Sequence, residues 1–82
     1  MSKETLNQLQ DLIRDCSGNN ELILMEESSL VNDLELSSLD IISLTGSIED
    51  TFDIQILDED IINLLTVKDV IDYIFRKKEE KR

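Results

Sequence analysis

The sequence predicts an all-α fold: a bundle of four helices, three longer and one short, with a long loop between the first and the second. Three observations predict it. Apolar residues recur at helical spacing in three separate stretches. Two of these are opened by a hydroxyl residue with an acid three positions on. The length, 82 residues, fits one domain whose small core buries only about 60% of the surface exposed on unfolding.

The first helix, about 3–16, carries Leu6, Leu9, Leu12, Ile13 and Cys16 on one stripe. Ser17-Gly18-Asn19-Asn20 stops it, with Gly18 as a natural left-handed cap. Residues 21–37 read as a long loop, in which Leu30 is the expected anchor to the core. The second helix, about 38–52, begins at Ser37-Ser38-Leu39-Asp40, where a hydroxyl caps the helix and Asp40 suits its positive end. Its inner stripe is Ile41, Leu44, Ile48 and Phe52; Ser38, Ile42 and Glu49 project from the other side, with Gly46 between them. A connector with Ile54 and Ile56 leads to the short helix, about 58–64, whose first turn is Asp58-Glu59-Asp60. Thr66-Val67-Lys68-Asp69 is a second capping box, opening a helix over about 67–77 with Val67, Val70, Ile71, Ile74 and Phe75 inward. A basic tail, 76–82, complements the negative end of that helix.

Charge narrows the function classes. The formal net charge is −11, and from Asp15 to Val67 there are thirteen acids and no Lys or Arg. Such a surface repels phosphates, so nucleic acid is excluded as a partner and anionic membranes are disfavoured. Basic protein surfaces are the expected partners, and solubility alone is the competing reading. No apolar run is long enough to span a bilayer, and the polar start is not a signal peptide, so the expectation is a cytoplasmic monomer with no membrane insertion. With one Cys and no His, an internal disulfide, a Cys/His zinc site and His-based catalytic triads are excluded.

Few residues offer chemistry. Cys16 falls on an apolar stripe and reads as core. Asp58-Glu59-Asp60 lacks the ligand spacing of a calcium loop and reads as a helix start. Glu49 and Asp50 diverge by about 100° around a helix, so they make a poor catalytic pair. Tyr73 reads as an amphipathic surface residue on the last helix. Ser38 carries two readings. Ser-Leu-Asp at a helix start is more often a cap than a site, but an exposed serine there is also a good place to carry a phosphodiester, favoured by free amides and the helix dipole.

The surroundings of Ser38 resemble the acyl carrier protein family. Asp33-Leu34-Glu35-Leu36-Ser37-Ser38-Leu39-Asp40, then Ile48-Glu49-Asp50-Thr51-Phe52-Asp53-Ile54-Gln55-Ile56, then Thr66-Val67-Lys68-Asp69-Val70-Ile71-Asp72-Tyr73-Ile74 follow that family's blocks without gaps between them. The resemblance covers essentially the whole chain. It implies a four-helix bundle of acyl-carrier type, a single carrier domain over 1–82, and no enzymatic activity of its own. It also implies that a phosphopantetheinyl transferase moves 4'-phosphopantetheine from coenzyme A onto Ser38, and that the arm's thiol then carries acyl groups as thioesters. The expected partners are acyl-transferring, condensing and modifying enzymes of fatty-acid, polyketide or related specialised biosynthesis. Leu39, Asp40, Ile42, Glu49 and Asp50 are the expected partner-binding face, acids toward basic patches and Ile42 beside the arm. An aminoacyl, peptidyl or D-alanyl carrier shares this architecture, and an unmodified acidic interaction module is the reading outside the carrier class. Four positions depart from the pattern: Ser37 replaces the usual acid, Glu35 the glycine, Leu57 the proline, and Gly46 a larger apolar side chain.

Overall fold

The computed structural model describes residues 3–18 and 20–80; Asn19 of the first stop signal and Lys81 and Arg82 of the basic tail lie outside them. The described residues form four helices in the order α1 (Lys3–Ser17), α2 (Ser38–Phe52), α3 (Asp58–Ile61) and α4 (Val67–Glu80). Among them no helix is long and apolar enough to cross a membrane.

The helix ends follow local chemistry. Gly18 takes φ +74° and its N–H donates to the Arg14 carbonyl at 2.9 Å, closing α1. At α2, the Asp40 N–H donates to Ser37 Oγ and the Ser37 N–H donates to Asp40 Oδ2, a reciprocal capping box. Thr66 and Asp69 build the same device at α4, where Asp69 Oδ2 also accepts the Leu65 N–H. α4 continues three residues past the span read from its apolar spacing, with Lys77 and Lys78 in its last turn against the helix dipole.

α3 is shorter than the 58–64 read from the sequence. Its acids start the helix, but after one turn the chain tightens, with the Asn63 N–H on Asp60 O and the Leu64 N–H on Ile61 O. Leu64 is thereby buried, and the chain is free to enter the Thr66 cap.

The core gathers Leu9 and Ile13 of α1, Leu44, Ile48 and Phe52 of α2, and Val67, Val70, Ile71 and Ile74 of α4. The long loop is strapped onto this core. Leu24, Leu30, Leu34 and Leu36 are all buried, each burial contributing roughly 1.5–3 kcal/mol. Its backbone is tied at both ends of the bundle. Gln10 Oε1 accepts the Leu24 N–H, and Arg14 Nε donates to Leu22 O. An isolated antiparallel bridge joins Ser29 to Thr66, with the Leu30 N–H on Leu65 O and the Val67 N–H on Ser28 O, both at 3.0 Å.

Tyr73 is not a surface residue. Its ring is buried at 5% exposure; the hydroxyl donates to Asp60 Oδ2 at 2.7 Å and accepts the Leu57 N–H at 3.3 Å. It thus locks α3 to α4, and Arg76 and Lys77 stand over its ring at 5.1 and 5.3 Å. Burial first, then the Asp60 hydrogen bond, pushes the Tyr73 hydroxyl pKa above its usual value.

Candidate functional site

The capping box decides what the two adjacent serines are free to do. A helix leaves four N-terminal amides without intrahelical partners. At α2 those of Ser37 and Asp40 are taken by the box, so the amides of Ser38 and Leu39 remain at the positive end of the dipole. Ser37 spends its hydroxyl oxygen on the Asp40 amide. Ser38, one residue on, is exposed and takes no part in the box. A phosphate ester on Ser38 would meet unpaired amides and a favourable dipole.

Ser38 lies on the wall of a groove of about 540 Å³. Ile41 and Ile42 of α2 form one side; Ile61, Ile62, Leu64 and Leu65 form the other, and Val31 of the long loop closes an edge. Three hydroxyl residues line it: Ser29, Thr66 and Ser38. Ser29 Oγ accepts the Asn32 N–H and Thr66 Oγ1 the Asp69 N–H, so both are used by turns and caps. The groove therefore offers one uncommitted hydroxyl at the edge of an apolar trough. Nothing beside that hydroxyl can activate it. The sequence has no His, and the nearby Asp40 carboxylate holds the Ser37 amide. Cys16 is half-buried against the core, and burial, with Asp40 and Asp15 adding like charge, pushes its thiol pKa up. It is correspondingly un-nucleophilic.

The residues expected to face partners do not form one uniform set. Leu39 and Ile42 are exposed, at 76% and 58%. Asp50 is exposed, but Asp40 is half-buried and capped. Glu49 is half-buried, with Oε2 accepting the Ile56 N–H at 3.1 Å, so it also fastens the connector to α2. Ser38 and Ile42 share the groove, while Leu39 and Asp50 lie outside it. Sequence reading missed Val31, Ile62 and Leu65, exposed apolar residues of the long loop and of the α3–α4 connector that meet only in the fold. The one sequence signal for them is that each lies off the helix stripes. Gly46 stands mid-helix, where glycine costs about 1 kcal/mol relative to alanine, and no atom outside its own helix backbone and chain neighbours lies within 4 Å of where its Cβ would stand.

An exposed serine at a helix start with an apolar trough beside it is the arrangement of a carrier domain. Comparison with known proteins says which carrier. A family model described as the phosphopantetheine attachment site matches residues 7–74. The acyl carrier protein of Coprothermobacter proteolyticus is 40% identical over 75 residues, covering 90% of this chain and 92% of that one. That of Syntrophobacter fumaroxidans is 37% identical over 71 residues, covering 87% and 88%. Among solved structures, the acyl carrier protein of Thermotoga maritima superposes with a TM-score of 0.86 at 30% identity, over 98% of this chain and 93% of that one. The holo acyl carrier protein of Geobacter metallireducens gives 0.81 at 25% identity, over 94% and 88%. The chain belongs to the acyl carrier protein family.

It is accordingly a non-catalytic carrier whose cofactor is covalently attached 4'-phosphopantetheine. That group supplies a flexible arm ending in a thiol that holds an acyl group as a thioester. The residues at the start of α2 fit it: a free hydroxyl for the ester, two open amides and a dipole for the phosphate, and an apolar trough alongside.

Proposed function

We propose that Ser38 is the attachment residue and that the chain, as one carrier domain, shuttles acyl groups between enzymes of fatty-acid, polyketide or related specialised biosynthesis in the cytoplasm. The observation that carries this is the division of labour between adjacent, equally exposed serines: Ser37 Oγ is bound in the cap, whereas Ser38 takes no part in it and lines the groove. In the loading step Ser38 Oγ attacks the β-phosphorus of coenzyme A. The new P–O bond forms as the pyrophosphate link breaks, adenosine 3',5'-bisphosphate leaves, and the hydroxyl proton passes to a base on the phosphopantetheinyl transferase. The chain contributes the hydroxyl, its position and the amides that favour the anionic ester; the transferase contributes the activation.

The groove favours hydrocarbon cargo over an aminoacyl group. Apart from Ser29, Asn32, Ser38 and Thr66, its lining is Ile, Leu and Val, which stabilises alkyl surface and leaves an ammonium group without a partner. Leu39, Ile42 and Asp50, exposed along α2, and half-buried Glu49 support docking by enzymes with basic surroundings to their active sites.

The test is an intact mass after incubation with coenzyme A, Mg²⁺ and a broad-specificity phosphopantetheinyl transferase, for wild type, Ser37→Ala and Ser38→Ala. Wild type and Ser37→Ala should each gain one phosphopantetheinyl group, and Ser38→Ala none. Gain by Ser38→Ala with loss in Ser37→Ala would move the site to Ser37.

A further inference from the structure

We propose that the enzymes acting at Ser38 seat a large apolar side chain, carried on a basic surface, in the hollow over Gly46. This rests on Ser38 being the modified residue and identifies what the partner must present.

Gly46 has no positive φ to explain it, and a Cβ there would meet no packed neighbour in this chain. Intramolecular packing thus gives no reason for a helix-weakening residue at this position. The missing side chain leaves part of an open surface hollow unfilled. A hollow of about 690 Å³ lies between α2 and α3 over Gly46, walled by Ile42, Ile61 and Ile62 and edged by Glu49 and Asp58. The same three isoleucines line the groove at Ser38, so hollow and groove share a wall.

Two arguments fix the occupant. Gly46 is eight residues from Ser38 on one helix, about 12 Å at 1.5 Å per residue. An enzyme that reaches the Ser38 hydroxyl with a standard footprint of roughly 800 Å² covers that distance. Its side chains must fill the hollow or leave exposed isoleucine facing a void, and apolar anchors in pockets are what hold such interfaces. Electrostatics select the rest of the surface. Glu49 and Asp58 rim the hollow, Asp50 and Glu59 stand beside them in sequence, and no Lys or Arg occurs between Asp15 and Val67. A basic rim around the anchor is therefore complementary. This carrier offers its partners a socket at 46 and not a protruding side chain.

The experiment is steady-state transfer of phosphopantetheine by the transferase of the same organism, read by mass, for wild type, Gly46→Ala and Gly46→Met. A methionine projecting into the hollow should raise KM about tenfold with kcat within twofold. Alanine should raise it no more than about threefold. Thermal melts should show both variants at least as stable as wild type, which separates blocked docking from misfolding. KM in Gly46→Met equal to or below the wild-type value would overturn the socket. No transfer to wild type at all would instead count against the modification of Ser38.

Discussion

Ser37 Oγ accepts the Asp40 amide at 3.2 Å while Asp40 Oδ2 accepts the Ser37 amide at 3.0 Å. This closed pair sets Ser37 to hold α2 and leaves Ser38 to be used. The two serines should therefore separate cleanly on stability. Ser37→Ala should cost about 1 kcal/mol in urea unfolding, and Ser38→Ala should lie within about 0.5 kcal/mol of wild type. Equal losses from both would show that Ser38 shares the cap.

Glu35 stands at φ +55°, in left-handed backbone that a side chain disfavours by roughly 1–2 kcal/mol. It is exposed, so little packing offsets that strain. Glu35→Gly should stabilise the protein by about 1 kcal/mol after the extra entropy of glycine in the unfolded chain is counted, and Glu35→Ala should not. Thermal melts of the three proteins check this.

The Tyr73 lock has a pH signature. Its hydroxyl pKa is raised in the folded state by burial and by the Asp60 carboxylate it donates to. The unfolded chain then releases this proton at a lower pH than the native one. Stability from this group is complete below the usual tyrosine range near pH 10 and is lost as pH rises through the higher folded value. Tyr73 is the single tyrosine, so phenolate absorbance follows it directly. Tyr73→Phe should cost about 1–2 kcal/mol at neutral pH, since the Leu57 amide loses its acceptor, and should remove this residue's share of the alkaline loss, leaving that of the half-buried Cys16 thiol.

Net charge predicts a salt response. With −11 on 82 residues and a small core, self-repulsion opposes the compact state. Raising ionic strength from about 0.01 to 0.15 M shortens the screening length from about 30 to 8 Å and should raise Tm, with Mg²⁺ more effective still. An unchanged Tm would rule out self-repulsion as the limit on stability.

What the sequence made legible was local. Both capping boxes, the Gly18 stop and the inner stripes of α2 and α4 are written in residues three or four apart, and the structure has them there. The end of α3 was not legible, because it is set by Leu64 turning inward and by the Thr66 cap, not by the acids that start it. Tyr73 looked like a surface residue because its partner Asp60 is 13 residues away in another helix. Asp40, Glu49 and Asp50 look alike as letters; hydrogen bonds to Ser37 and Ile56 distinguish the first two from the third. The groove's far wall, from Val31 to Leu65, exists only once the loop is bridged onto the start of α4.

The most direct measurement of the central claim is tandem mass spectrometry of the protein isolated from its own cells, reading the peptide that spans Ser37 and Ser38. The account predicts phosphopantetheine on Ser38 in the recovered protein, with acyl groups on its thiol. Phosphopantetheine on Ser37, or a well-folded protein recovered wholly unmodified, would contradict it.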